Sequence, residues 1–257
     1  VRVSIVVDDF HKVYDQTVAV AGISFTVAPG EIVGLVGQNG AGKTTTLRAL
    51  AGILRPTRGR LSIDGHDLLD EPIKAKSALA YVPDDPHLFE SLSVWEHLRF
   101  IASAYRVTDW QRRADELLEQ FELTGKRNAL ASELSRGMRQ KTAICCGLLH
   151  DPRAILLDEP LTGLDPRGIR TIQEAIRRRA AAGAAVMVSS HLLALVEDLC
   201  PSILMLHRGR ILVRGTLAGL AREAEEAGRQ ETLEQLFFRM TESAEAKATA
   251  AAGQTAR

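Results

Sequence analysis

Sulfur and aromatic rings are scarce in this chain: it has three cysteines, two of them adjacent at Cys145 and Cys146, and aromatics make up 5% of its residues. Such cysteines give neither a disulfide framework nor a metal-ligand spacing, which points to a reducing, cytoplasmic setting. Neither sign of charge is in excess. Lys and Arg total 32, Asp and Glu also total 32, and the formal net charge at pH 7 is zero. That balance argues against bulk electrostatic binding to nucleic acid or acidic lipid, so no nucleic-acid partner is expected. Long apolar runs are also missing. The richest, Ala180–Val188 and Ala143–Leu149, fall well short of the roughly 18 residues needed to span a bilayer, and Val1–Asp9 shows no secretory pattern.

What is present is ordinary globular material: 257 residues, 46% hydrophobic and 25% charged, enough for one large domain or a core with an insertion. Short β-rich runs come first: Ser4–Val7, Gly22–Val27, Glu31–Val36, Arg60–Ile63 and Leu79–Val82. A single helix interrupts them, from about Lys43 to Leu54, stopped by Pro56. From Ser93 the period becomes helical. Val94, Leu98, Ile101 and Ala102 mark one helix, Thr108 is the expected cap of a second, and a third runs from about Arg136 to His150. This block, residues 86–151, reads as an α-helical subdomain inserted between strands. Strands Ala154–Leu157, Ala185–Ser189, Ser202–Leu206 and Ile211–Val213 then alternate with helices Pro166–Ala182 and Leu192–Leu199. The fold class is therefore α/β with a largely parallel sheet and right-handed crossovers. Residues 242–257, rich in Ala, Ser, Thr and Lys, are expected to be a frayed tail outside a domain of residues 1–241.

Two segments carry chemistry. Gly37-Gln38-Asn39-Gly40-Ala41-Gly42-Lys43-Thr44, continued by Thr45, follows an apolar strand and opens a helix, the context a phosphate-binding loop requires. Small residues let successive N–H groups turn onto phosphate oxygens, and the helix N-terminus adds partial positive charge. Lys43 would reach the β- and γ-phosphates and the Thr44 hydroxyl would ligate Mg²⁺. Further on, Leu157-Asp158-Glu159-Pro160 closes an apolar strand with two acids. Neighbouring side chains on a strand face opposite ways, so the pair has two jobs. Asp158 is the candidate for Mg²⁺, and Glu159 for orienting or deprotonating an attacking water.

A third element, Leu134-Ser135-Arg136-Gly137-Met138-Arg139-Gln140, lies between these two in the order and spacing of the signature motif of ABC transporter nucleotide-binding subunits, and the chain from about Tyr14 to Thr241 resembles that family. The resemblance implies a P-loop NTPase, RecA-like core with an N-terminal antiparallel β subdomain. It implies ATP and Mg²⁺ as cofactors, and a head-to-tail homodimer or paired ABC subunit in which Ser135 and Gly137 of one copy close on ATP held by the other. It further implies that Tyr14 stacks on adenine, that His191 contacts the γ-phosphate and links it to Glu159, and that Asp165 lies in a loop crossing the dimer interface. Where the family usually has Gln after the strand leading into the helical subdomain, this chain has Asp84, a carboxylate that can still face Mg²⁺ directly or through water. The third signature position is Arg136 in place of Gly.

The implied role is an ATPase that powers polytopic permease subunits from the cytoplasmic face of the membrane. The closing run Glu231–Thr241 resembles exporter ATPases with a separate permease. Leu88, Phe89, Leu92 and Trp95 read equally as permease contacts or as core. A soluble ABC ATPase acting on nucleic acid or ribosomes needs a coiled-coil insertion or a second cassette, neither of which is seen. A P-loop kinase or GTPase would leave the signature and His191 without a purpose.

Overall fold

The computed structural model describes residues 4–226, 228 and 232–255. The chain runs through β1 (Ile5–Tyr14), β2 (Thr17–Val27), β3 (Ile32–Val36), α1 (Lys43–Leu50), β4 (Arg58–Ile63), β5 (His66–Asp67), α2 (Pro72–Ser77) and β6 (Leu79–Val82). The helical block follows as α3 (Val94–Tyr105), α4 (Trp110–Gln120) and α5 (Arg136–Leu148). The chain then returns through β7 (Ala154–Asp158), α6 (Pro166–Ala181), β8 (Ala185–Ser190), α7 (Leu193–Leu199), β9 (Ser202–His207), β10 (Arg210–Thr216), α8 (Leu217–Glu226) and α9 (Leu233–Thr255).

Two sheets form. One is antiparallel with order β2-β1-β4-β5, and the other has order β10-β9-β3-β8-β7-β6. In the second, β9, β3, β8, β7 and β6 are mutually parallel, and only the edge strand β10 runs antiparallel. Every residue of β3, β7 and β8 is buried, as expected of parallel strands covered on both faces. Alternation then sorts their side chains. Leu156 and Met187 point into a core shared with Phe10, Ile23 and Leu61 of the antiparallel sheet and with Leu47 and Leu50 of α1. Ile155, Leu157, Val186 and Val188 point the other way, into a core shared with Leu98, Leu118 and Phe121 of the helical block. The block thus joins β6 to β7, neighbours in the sheet, and packs on one face of it.

Local chemistry sets the helix starts. α3 begins with a reciprocal capping box between Ser93 and Glu96. The cap of α4 is displaced from the expected Thr108 to Asp109, which sits at φ 53 with no side-chain cap because its carboxylate accepts from Arg112 Nε at 2.6 Å. α1 stops at Leu50, short of Leu54, where the chain turns through Gly52 at φ 63. The segment from 242 onward, expected to fray, is instead helical to Thr255 as the end of α9. Alanine, its commonest residue, is the strongest helix former. The first turns of that helix are pinned by Leu233, Leu236 and Phe237 in the core.

Candidate functional site

The C-terminal ends of β3, β7 and β8 lie side by side, so the segments that follow them converge on one cleft of about 540 Å³. That is where open parallel sheets gather ligands, and the size suits a small-molecule cofactor. The cleft is lined by Asn39, Gly40, Gly42, Lys43, Thr44, Thr45, Asp84, Asp158, Glu159 and His191, residues far apart in sequence. Thr17, Val18 and Ala19 of β2, Gln38 and Thr162 complete it.

The glycine-rich loop is dictated by contacts. A Cβ on Gly37 would stand 2.4 Å from the Leu206 carbonyl oxygen, and Gly42, the residue before α1, takes φ 106. Lys43 is buried, and its Nζ donates to the Gly37 carbonyl at 2.7 Å while lying 3.9 Å from Glu159 Oε1. Burial holds its ammonium below the usual lysine range, and the carboxylates of Glu159 and Asp158 pull the other way.

The two acids are organised by one residue that sequence reasoning passed over. Ser189, wholly buried, donates from Oγ to Asp158 Oδ1 at 2.6 Å and accepts from the Glu159 amide at 3.0 Å. Thr44 Oγ1 donates to the same Asp158 oxygen at 3.3 Å. Asp158 Oδ2 has no hydrogen bond among the described residues. Glu159 sits at φ 49, a left-handed conformation costly for a non-glycine residue, held there by its paired amide. Its Oε2 accepts from the His191 amide at 3.3 Å and from His191 Nδ1 at 2.9 Å. A carboxylate only accepts, so the imidazole proton is on Nδ1 and Nε2 faces away from Glu159. Glu159 Oε1 is left without a hydrogen bond among the described residues. The signal for Ser189 was its place in Val188-Ser189-Ser190-His191, where it is the register partner of Asp158 and shares its face of the sheet.

Thr44, Asp158 and Asp84 offer hard oxygen donors, the set that fits Mg²⁺. No cluster of three or more His, Cys, Asp or Glu ligands occurs among the described residues. Mg²⁺ characteristically takes one or two carboxylates and completes its shell with water and substrate phosphates, so the donor set suits it.

Other expected residues stand apart. Gly37 lines a recess beside the cleft with Gln38, Asn39 and His191. Tyr14 is 41% exposed and does not line the cleft; Lys12 Nζ lies 4.8 Å from its ring centroid. Ser135 and Gly137 begin α5, where Ser135 caps the Met138 amide at 3.4 Å, and neither lines the cleft. Asp165 caps α6 through the Gly168 amide at 2.9 Å. Asp84 reaches the cleft wall and also accepts from Arg136 Nη2 at 3.2 Å.

Comparison with known proteins identifies the family. The profile described as ABC transporter matches residues 20–162. The chain is similar to the ABC-type transporter ATP-binding protein EcsA of Bacillus subtilis (strain 168), 35% identical over 238 residues that cover 91% of this chain and 95% of that protein. It is also similar to the lipopolysaccharide export system ATP-binding protein LptB of Haemophilus influenzae, 35% identical over 214 residues covering 81% of this chain and 89% of that protein. Among solved structures, an ATP binding subunit of an ABC transporter superposes with a TM-score of 0.87 at 36% identity, covering 93% of this chain and 99% of that one.

Proposed function

The chain belongs to the ABC transporter family, as one of its ATP-binding, ATP-hydrolysing subunits, and on that premise we propose that it drives an exporter, pairing head to tail with a second ABC subunit against a separate permease. The reading is carried by the convergence of Lys43, Thr44, Asp158, Glu159 and His191, distant in sequence, on a single cleft.

The amides of the loop from Gln38 to Thr45 cradle the phosphates, and Lys43 neutralises the β- and γ-phosphates as a point charge. Thr44, Asp158 and Asp84 would hold Mg²⁺; when bound, the ion would offset the charge that develops on the phosphates. Glu159 Oε1, without a hydrogen bond among the described residues, takes the proton of the attacking water, while His191 and Ser189 fix the other carboxylate oxygen and the backbone. His191 Nε2, turned away from Glu159, would donate to the γ-phosphate with both ring nitrogens protonated.

The second anion site supports pairing. The first turn of α5 has no acidic residue, and Ser135 with the Gly137 amide stands outside its own cleft, so its helix N-terminus is free for a phosphate held by another copy. Tyr14 beside the β1–β2 turn is assigned to adenine and Asp165 to the interface loop. Permease docking falls to the helical block, where Phe89 and Phe100 are exposed and meet edge to face at 5.7 Å; Trp95 is instead packed against Trp110 and Arg127. Among the described residues no helix is long and apolar enough to cross a membrane, which fits a peripheral subunit on the cytoplasmic face. Export is favoured by the C-terminal run and by the likeness to the lipopolysaccharide export subunit.

Glu159→Gln tests the reading. Phosphate release should fall by about 10²–10⁴ while ATP still binds, and size-exclusion chromatography should show a dimer that appears only with ATP. Undiminished turnover refutes the general base, and a variant that stays monomeric with ATP bound refutes the pairing.

A further inference from the structure

Asp84 lines the cleft on the wall formed after β6, yet its carboxylate is bound to a residue 52 positions away in sequence, Arg136, through a 3.2 Å contact with Nη2. Arg136 is the first residue of α5. A cation is unfavourable at the positive end of a helix, and the first turn of α5 has no acid to offset it. Asp84 supplies that missing negative charge from another element. The same carboxylate is the third oxygen donor available to a divalent cation beside Thr44 and Asp158. One carboxylate between two cations holds each less well than it would hold either alone, since the cations repel across a few ångströms.

We propose that Arg136 is a positioning residue that competes with the metal for Asp84, so that binding of Mg²⁺ with nucleotide and the Asp84–Arg136 contact oppose each other. The inference rests on the assignment of Mg²⁺ to Thr44, Asp158 and Asp84. Linkage makes the opposition reciprocal: whatever factor Arg136 takes from metal affinity, the metal takes from the contact. The pair is built to yield, because its side chains are 58% and 50% exposed and such pairs are weak. Its release has somewhere to go. The Arg136 side chain passes within 3.7 Å of where a Cβ on Gly163 would stand, and Leu164 Cδ2 is 3.0 Å from the same position on Gly137. Arg136 therefore joins the loop after β6 and the loop after β7 to the N-terminus of α5, and loss of its Asp84 contact frees the end of α5 that carries Ser135 and Gly137. Metal occupancy of one cleft is in this way communicated to the surface offered to a second copy.

The test is a Mg²⁺ titration of the full chain at saturating fluorescent, non-hydrolysable ATP analogue, read as equilibrium fluorescence. Arg136→Gln should lower the half-saturating Mg²⁺ concentration by about two- to fivefold, the range an exposed ion pair allows. In an Asp84→Asn background the same substitution should produce no shift. An equal shift in both backgrounds would show that Arg136 acts through bulk charge and not through Asp84; no shift in either, or an Asp84→Asn protein with wild-type Mg²⁺ dependence, also overturns the proposal. Arg136→Met repeats the measurement should Arg136→Gln not fold. Asp158→Asn separates the underlying assignment: if it leaves the Mg²⁺ dependence untouched, the metal site itself is wrong, whatever Arg136 does.

Discussion

Replacing Ser189 with alanine removes a single oxygen that serves two acids at once. The hydroxyl donates to Asp158 Oδ1 at 2.6 Å, and the serine and the carboxylate are both buried. A hydrogen bond to a charged group contributes about 1.5–3 kcal/mol, against about 1 kcal/mol for a neutral one. For a domain of this size each kcal/mol moves the melting temperature by about 2–4 °C, so Ser189→Ala should melt roughly 3–12 °C lower. The catalytic effect has a separate origin. The Glu159 amide loses its 3.0 Å bond to Oγ and keeps only the 3.2 Å bond to the Ser189 carbonyl, which loosens a residue already in a costly backbone conformation. If the lost neutral bond, about 1 kcal/mol, is felt fully in the transition state, kcat/KM falls by about fivefold at 1.36 kcal/mol per tenfold. Ser190→Ala is the matched comparison: among the described residues its Oγ accepts from the Leu192 amide alone, at 3.0 Å, so about 1 kcal/mol of stability and little turnover should be lost. Calorimetry and steady-state phosphate release measure both effects. Equal losses for the two serines, or an unchanged Ser189→Ala, would refute the argument.

Gly37→Ala should abolish ATP binding and lower the melting temperature, because its Cβ would meet the Leu206 carbonyl at 2.4 Å and the Ala41 Cβ at 2.9 Å; overpacking of this kind costs about 1–3 kcal/mol or more. Equilibrium nucleotide binding and thermal melting check it. Burial pushes the Cys146 and Cys200 thiols up to about 12, and Cys145 is raised as well. A thiol reagent at mildly alkaline pH should therefore leave all three unmodified until denaturant is added. Because the folded values exceed the ordinary 9.0, the thiols' contribution to stability is intact below that value and is lost as pH climbs from 9.0 toward about 12, which denaturant midpoints across that window would show.

Much of the cleft was legible because its chemistry is written in short contiguous segments. A glycine-rich turn ending in Lys43 and Thr44, and an apolar strand running into Asp158 and Glu159, each carry a local backbone rule, although β7 ends at Asp158, so strand alternation does not reach Glu159 and both acids line the cleft. The parallel core was legible for a similar reason: strands buried on both faces are apolar throughout. What escaped depends on pairing between distant segments. Ser189 looks like any strand serine until β8 is set beside β7, and the opposition of Asp84 to Arg136 needs the tertiary contact. Local competition hid other details: Asp109 bonds Arg112, which moved the start of α4, and the alanine-rich segment after Thr241 has the propensity to prolong a helix already anchored by Phe237. Asp165 was read as part of an interface loop, and within one copy its visible work is to cap α6.

The left-handed backbone at Glu159 sets stability against activity. Glycine is the one residue that would rest there without steric penalty. A search for hardier variants of this chain, blind to catalysis, should therefore sample Glu159→Gly, which sets relief of that strain against the lost His191 contacts and leaves a protein that clasps its nucleotide and spends it slowly.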